Sequence, residues 1–309
     1  FIVITLIKKF FLKSYNYLLK KFDRFIFLPI IIIPLLKKHY SLSKNISILP
    51  AFRCFILMDN VQIFKVPLRK NSTIEIEVEL RKKVIQIWPE LSTILVECEL
   101  KNHGLIKTLS MPRYKKISLD ESIEKGLELY NKLHNYSTPN ESGINIQNSS
   151  QMNCGLQIIK SLYSQAIYNN IQLVIEKYLK NNNYSVGFAH GDFHSRNILL
   201  DDFGNIRLID LDCMRMIGIQ NIDALYFVLE YEWSRTGALW YDTLAKLLND
   251  TASDKTRERL SLFKLKDSVG LYLVYLVDRV GQEKVNYGIE YGRRNLDSVI
   301  QAITHKIIN

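Results

Sequence analysis

The densest run of chemistry-bearing residues is 188–212, FAHGDFHSRNILLDDFGNIRLIDLD. Ile198 to Leu200 and Ile206 to Ile209 are apolar, β-prone runs separated by the turn formers Asp201, Asp202, Phe203, Gly204 and Asn205, which predicts an antiparallel hairpin with Gly204 free to take positive φ. A turn centred near Phe203 and Gly204 places Asn197, at the start of the first strand, opposite Asp210 at the end of the second. An amide oxygen and a carboxylate can then share one hard cation. Asp192 lies in the loop just before them. A carboxylate beside a divalent-metal site, and not itself needed as a ligand, is suited to accept the proton of a substrate hydroxyl while the metal holds phosphate oxygens.

The order His190-Gly191-Asp192, then Asn197, then Asp210 resembles the catalytic loop and metal-binding aspartate of the protein-kinase-like fold, H-R-D-L-x-x-x-N followed by D-F-G. Glycine after the histidine, and Ile209-Asp210-Leu211-Asp212 in place of D-F-G, is similar to the aminoglycoside phosphotransferase and choline kinase branch, whose members act on small molecules. The resemblance implies Asp192 as the catalytic residue, Asn197 and Asp210 as ligands of Mg2+ with Asp212 assisting, and ATP as the phosphoryl donor. Two other readings fit the same residues. An ordinary hairpin with acidic ends explains Asp201 and Asp202, but not Asp210 and Asp212 alternating with Ile209 and Leu211. A zinc site on His190, Asp192 and His194 is the second; the remaining histidines, His39, His103, His134 and His305, are isolated, so further ligands are scarce.

Upstream, Phe55 to Met58, a turn at Asp59-Asn60, and Val61 to Val66 read as a hairpin whose second strand carries Lys65. The resemblance makes Lys65 the lysine that grips the α- and β-phosphates of ATP, held by a glutamate from the next helix; a lysine on the solvent face of an edge strand is the alternative. That helix is expected over about Thr73 to Leu91. At about 100° per residue, Ile76, Leu80, Val84, Ile87 and Trp88 share one face with Glu77 inside it. Glu75 and Glu79 fall opposite, with Lys82 and Gln86. A carboxylate set in an apolar stripe needs a cation, and Lys65 is the candidate; Glu79 takes that place if the helix phase slips. The chain contains no G-x-G, so neither a Walker loop nor a Rossmann fingerprint is present. Residues 49–53 are the segment left to cover the triphosphate.

Strands are expected over Thr93 to Leu100 and Leu105 to Leu109, and the resemblance makes Met111 to Tyr114 an adenine-binding hinge. Helical periodicity follows from Ser122 to His134, from Leu156 to Leu179 after a polar loop at 135–151, and through most of 223–308. Asp223 resembles a structural anchor of the catalytic loop. Glu230, Tyr231, Glu232 and Trp233 mix acids with aromatic rings. Such a mix can cage an ammonium substrate, as in choline kinases; the alternative is an amphipathic helix with Leu225, Val228 and Leu229 inward and the acids in water.

The chain has 309 residues, 47% of them hydrophobic, enough for one large or two small cores. Cys54, Cys98, Cys154 and Cys213 form no C-x-x-C pair, which favours free thiols in a reducing, cytoplasmic setting. The net charge of +10 is spread along the chain with no compact basic run interleaved with aromatics, so no nucleic-acid partner is expected. Phe1 to Phe22 mixes apolar clusters with lysines, and Phe25 to Leu36 is apolar but for Pro29 and Pro34. That run is too short to span a bilayer, leaving a helix packed on the protein or a peripheral contact of residues 1–36 with anionic membrane at its inner face.

These readings combine into an α+β, protein-kinase-like bilobal fold. A basic, apolar helical segment (1–45) precedes a small antiparallel-sheet N-lobe (46–112) and a larger, mainly helical C-lobe (113–309) that carries the catalytic loop 188–212. The implied reaction is ATP- and Mg2+-dependent transfer of a phosphoryl group to a hydroxyl of a small-molecule or glycan acceptor. Choline, ethanolamine and cell-envelope sugars are alternatives to an aminoglycoside-like amino sugar. A catalytically inactive nucleotide-binding scaffold is the alternative of another class.

Overall fold

The computed structural model describes residues 33–39, 46–50, 54–67, 73–102, 107–136, 149–180, 184–266 and 268–308. Of the expected membrane-contacting run 1–36, residues 1–32 lie outside the described residues, as do 51–53 of the segment assigned to the triphosphate. Helix α1 is Ile33–His39. Among the described residues, no helix is long and apolar enough to cross a membrane.

The chain divides into two compact units, one taking the residues up to Val78 together with Glu97–Arg113, the other Glu79–Val96 and Tyr114–Asn309. The first holds a five-stranded antiparallel sheet in the order β1-β2-β3-β5-β4. Its strands are β1 Ser47–Pro50, β2 Cys54–Met58, β3 Gln62–Pro67, β4 Glu99–Asn102 and β5 Lys107–Pro112. The Asp59 carboxylate closes the β2–β3 turn by accepting the N–H groups of Val61 and Gln62 at 2.8 and 2.6 Å. Phe55, Leu57, Phe64, Val66, Leu109 and Met111 are buried. Because β3 is paired on both sides, with Lys65 opposite Ile56 and Leu109, the edge-strand alternative for Lys65 is corrected.

Helix α2 is Thr73–Ile87. It stops four residues earlier than expected because Trp88 precedes Pro89, a position that disfavours helical backbone, and Pro89–Thr93 turns as a 3-10 helix. The phase also differs. Ile74, Glu77 and Val84 are buried, whereas Ile76 and Ile87 are exposed; Glu77 stays on the buried side because it is three residues from Ile74 and seven from Val84. The strand expected from Thr93 forms only from Glu99. Leu91, Ile94 and Leu95 are buried instead in a cluster dominated by helices, with Leu95 bridging Leu208, and Val96 is buried beside them in sequence.

The second unit contains helices α3 Leu119–His134, α4 Ser150–Leu162, α5 Gln165–Lys180, α6 Gln220–Thr236, α7 Trp240–Leu248, α8 Asp254–Leu262, α9 Val269–Tyr287 and α10 Arg293–Ile308. Ser118 and Glu121 form a reciprocal capping box on α3. Helix α9 is buried almost all round, from Gly270 to Glu283, apolar on every face as far as Val277 and carrying the buried polar residues Asp278, Arg279, Gln282 and Glu283 beyond it. It crosses α4 where a Cβ on Gly155 would strike the Val277 carbonyl and one on Gly281 the Gln151 carbonyl. Short strands complete the unit: β6 Lys115–Lys116, β8 Ile198–Leu200 and β9 Ile206–Leu208 in one sheet, β7 Val186–Ala189 and β10 Arg215–Ile219 in another.

Candidate active site

Strand β7 delivers the chain to His190, and Asp223, in the first turn of α6, fixes the loop that follows. Its carboxylate accepts the N–H groups of His190 and Gly191, at 2.5 and 2.8 Å. Gly191 has φ of +77°, and a Cβ there would overlap the Cys213 carbonyl, so the loop needs glycine for both conformation and space. His190 Nδ1 accepts the Asp192 N–H at 3.3 Å, which assigns the proton to Nε2 and makes it the donor to the Ile209 carbonyl at 2.9 Å. His194 Nδ1 accepts the Arg196 N–H at 3.1 Å and turns Nε2 toward Asp192 Oδ2 at 3.3 Å. With these nitrogens engaged in holding the loop, the histidines are structural and the zinc reading does not fit them.

Asp192 is buried, and donors meet both of its oxygens. The Tyr226 hydroxyl donates to Oδ1 at 2.8 Å and Arg279 Nη1 lies 3.5 Å from the same atom, while Asn197 Nδ2 donates to Oδ2 at 3.3 Å. Burial by itself pushes this carboxyl up; the hydrogen bond from His194 and the charge of Arg279 outweigh it and hold the group well below the usual carboxylate range. It is therefore ionised and oriented.

The β8–β9 hairpin pairs Ile198 with Leu208 and Leu200 with Ile206. Gly204 takes φ of +81°, and the Asp201 carboxylate accepts the N–H groups of Phe203 and Asn205 at 3.0 and 2.8 Å. The turn is centred on Phe203, half a residue earlier than expected, so Asn197 lies opposite Ile209, whose N–H donates to the Asn197 carbonyl at 3.0 Å. Asp210 comes one residue later, at φ 65° and ψ 65°. Left-handed backbone is uncommon outside glycine and costs energy that the surroundings must offset. Asn197 also gives its Nδ2 to the Asp192 carbonyl at 2.9 Å, which leaves Oδ1 as the amide atom available to a cation. An amide oxygen and a neighbouring carboxylate are a hard-oxygen donor set of the kind Mg2+ takes with phosphate oxygens and water.

In the sheet-containing unit, Lys65 Nζ lies 2.8 Å from Glu77 Oε2, with the residues 9% and 4% exposed. Glu79 pairs instead with Lys83 at 2.7 Å, in solvent. The helix phase that would have exchanged the two glutamates is thus not adopted.

The acid-aromatic segment bears out the inward half of the amphipathic reading, with Leu225, Val228 and Leu229 buried, and departs from the rest. Its acids are not in water: Glu232 is buried and paired with Arg235 at 3.0 Å and with Arg259. Nor does it present an open cage, because Arg196 bonds Glu230 at 2.8 Å and its guanidinium carbon sits 4.9 Å from the Trp233 ring centroid.

Tyr226 and Arg279 were not among the sequence candidates. Arg279 lies 87 positions beyond Asp192 and its guanidinium stacks 4.1 Å from the Tyr226 ring centroid, while Glu283 accepts its Nε–H at 2.5 Å. The available signal was Asp278-Arg279 inside the apolar run from Leu271 to Val280, since charges in a buried helix need partners.

No protein-family model matches the chain, and no curated protein matches it in sequence. Solved structures do. The chain is similar to choline kinase LicA from Streptococcus pneumoniae, with a TM-score of 0.55 at 12% identity, over 89% of this chain and 98% of that one. A choline/ethanolamine kinase family protein from Mesorhizobium loti gives 0.52 at 10% identity over 96% and 95%. The chain has the protein-kinase-like bilobal fold. Aminoglycoside phosphotransferase APH(4)-Ia shares it, with a TM-score of 0.52 at 10% identity over 90% of this chain and 97% of that one.

Proposed function

We propose that this protein is an ATP- and Mg2+-dependent phosphotransferase that moves the γ-phosphoryl group to a hydroxyl of a small molecule or sugar. The observation that carries the reading is the arrangement of one loop: a buried Asp192 whose carbonyl and carboxylate both accept from Asn197 Nδ2, with the Asn197 carbonyl accepting the N–H of Ile209, the residue before Asp210. Asp192 orients the acceptor hydroxyl and receives its proton as the new O–P bond forms and the bond to the departing ADP breaks. A carboxyl of low pKa serves here because the loose transition state of phosphoryl transfer asks for little proton abstraction. Asn197 and Asp210 are the residues that would hold Mg2+, which would supply charge neutralisation at the phosphates. Lys65 binds the α- and β-phosphates, and Glu77 keeps its ammonium in place.

The structural neighbours support the reading; APH(4)-Ia has been crystallised in a ternary complex with AMP-PNP and hygromycin B. An ATP-dependent kinase of this kind belongs with the cytoplasmic nucleotide pool. The test is incubation with labelled ATP, Mg2+ and a panel of sugars, amino sugars, choline and ethanolamine, with Mg-ATP binding measured in parallel. Label transfer that requires Asp192 supports the proposal. Tight Mg-ATP binding with no transfer to any acceptor favours the inactive scaffold, the reading suggested by the missing glycine-rich loop.

A further inference from the structure

A carboxylate and an indole face that converge on one point form a site for an organic cation, and in this protein the site is filled from within. Glu230 and Trp233 lie three residues apart on α6, on neighbouring positions of one face. Arg196 reaches between them from the loop that carries Asp192, with Nη2 2.8 Å from Glu230 and the guanidinium 4.9 Å from the Trp233 ring. The Glu230 side chain is only 11% exposed, that of Arg196 56%, so the acid faces inward and its partner lies on the solvent side. One turn before Glu230 on the same helix is Tyr226, whose hydroxyl donates to Asp192. The filled cation site and the acceptor-orienting carboxylate are therefore on one wall.

The rest of that wall is committed in the same sense. Glu232 is paired with Arg235 and Arg259, and Arg259 covers the Tyr231 ring at 4.6 Å. Arg279 covers the Tyr226 ring at 4.1 Å, and its Nη1, buried and without a hydrogen-bond partner, lies 3.5 Å from Asp192 Oδ1. An ammonium group approaching along α6 meets a guanidinium group at Glu230, Glu232 and the rings of Tyr226, Tyr231 and Trp233; a hydroxyl compound that is neutral or anionic does not compete with them.

We propose that Arg196 is a specificity-determining residue, an internal cation that fills the Glu230–Trp233 subsite and turns the acceptor preference away from ammonium compounds toward neutral or anionic hydroxyl compounds. The acceptor role rests on the phosphotransferase reading above, whereas the filling of the subsite can be tested without turnover. Choline is titrated into the full chain and followed by tryptophan fluorescence, with 3,3-dimethylbutanol as the uncharged analogue of the same shape. Removing a competing exposed ion pair and one cation–π contact is expected to tighten choline binding about tenfold in Arg196→Ala relative to wild type. Arg196→Gln, which keeps most of the length and loses the charge, gives the same gain. The gain disappears in Arg196→Ala/Trp233→Phe, and dimethylbutanol distinguishes none of the variants. Equal or weaker choline binding in both single variants, or a gain that survives loss of Trp233, overturns the proposal. Failure of every variant to transfer phosphate to any acceptor overturns the phosphotransferase reading alone, because the choline comparison needs neither ATP nor turnover.

Discussion

Asp192 receives donors from Tyr226, His194 and Asn197 and faces the charge of Arg279, and this crowding has a consequence for pH. Its carboxyl is held below its unfolded value, so the contribution to stability is complete above an unfolded carboxyl value of about 3.9 and is lost only as pH falls below it toward the folded value. The carboxylate proposed as the base is then ionised throughout the neutral range. Turnover is expected to show no acidic limb from Asp192 between about pH 5 and 8. Tyr226→Phe removes one donor from Oδ1, weakens the orientation of the carboxylate and lowers turnover more than Mg-ATP affinity. A limb above about pH 5 that moves with Tyr226→Phe, measured on kcat/KM, contradicts this. The second prediction concerns the buried ion pair. Lys65→Ala and Glu77→Ala each lower phosphoryl transfer steeply, and the double variant is little worse than either, because the two act as a unit. Glu79→Ala is silent, since Glu79 pairs with Lys83 in water. Glu77 was legible in the sequence because an acid in an apolar stripe demands a cation. Arg279 was not, because nothing local ties a residue on a distant helix to the loop it supports.

At the scale of elements, local rules succeeded where local chemistry decides. The β8–β9 hairpin follows from its turn residues, and the β2–β3 turn from Asp59. They failed where tertiary burial decides. Periodicity alone gave α2 a stripe containing Ile76 and Ile87, yet both are exposed and Ile74 is buried. A register estimate accurate to half a residue still misplaced the partner of Asn197, because in an antiparallel pair a shift of one residue changes which side chains oppose. The crossing of α4 and α9 carries the third prediction. A methyl group at Gly155 or Gly281 meets a backbone carbonyl of the other helix, and backbone cannot rotate away as a side chain can. Gly281→Ala is expected to cost about 2 kcal/mol or more, read as a lower denaturant midpoint with the m-value unchanged. Gly237→Ala, where a Cβ meets nothing within 4 Å, bears only the strain of its positive φ and separates backbone conformation from packing. A smaller loss at Gly281 than at Gly237 contradicts the account of the crossing.

For the molecule as a whole, the spacing of His190, Asp192, Asn197 and Asp210 within one stretch was enough to suggest a kinase-like fold, because that stretch encodes a loop and a hairpin together. The acceptor was not legible. The side chains around Asp192 come from the loop, α6 and α9, whose pairing appears only in three dimensions, and the acids that read as a cation cage in sequence are taken by arginines. The central claim is that one carboxylate orients the acceptor while another holds the metal, and Mg-ATP affinity and turnover measured on Asp192→Ala and Asp210→Ala test it most directly. The account predicts that Asp192→Ala keeps wild-type Mg-ATP affinity while turnover falls by about 10² to 10⁴, and that Asp210→Ala weakens Mg-ATP binding itself, with part of the loss restored by excess Mg2+. Mg-ATP affinity unchanged in Asp210→Ala, or turnover unchanged in Asp192→Ala, would contradict it.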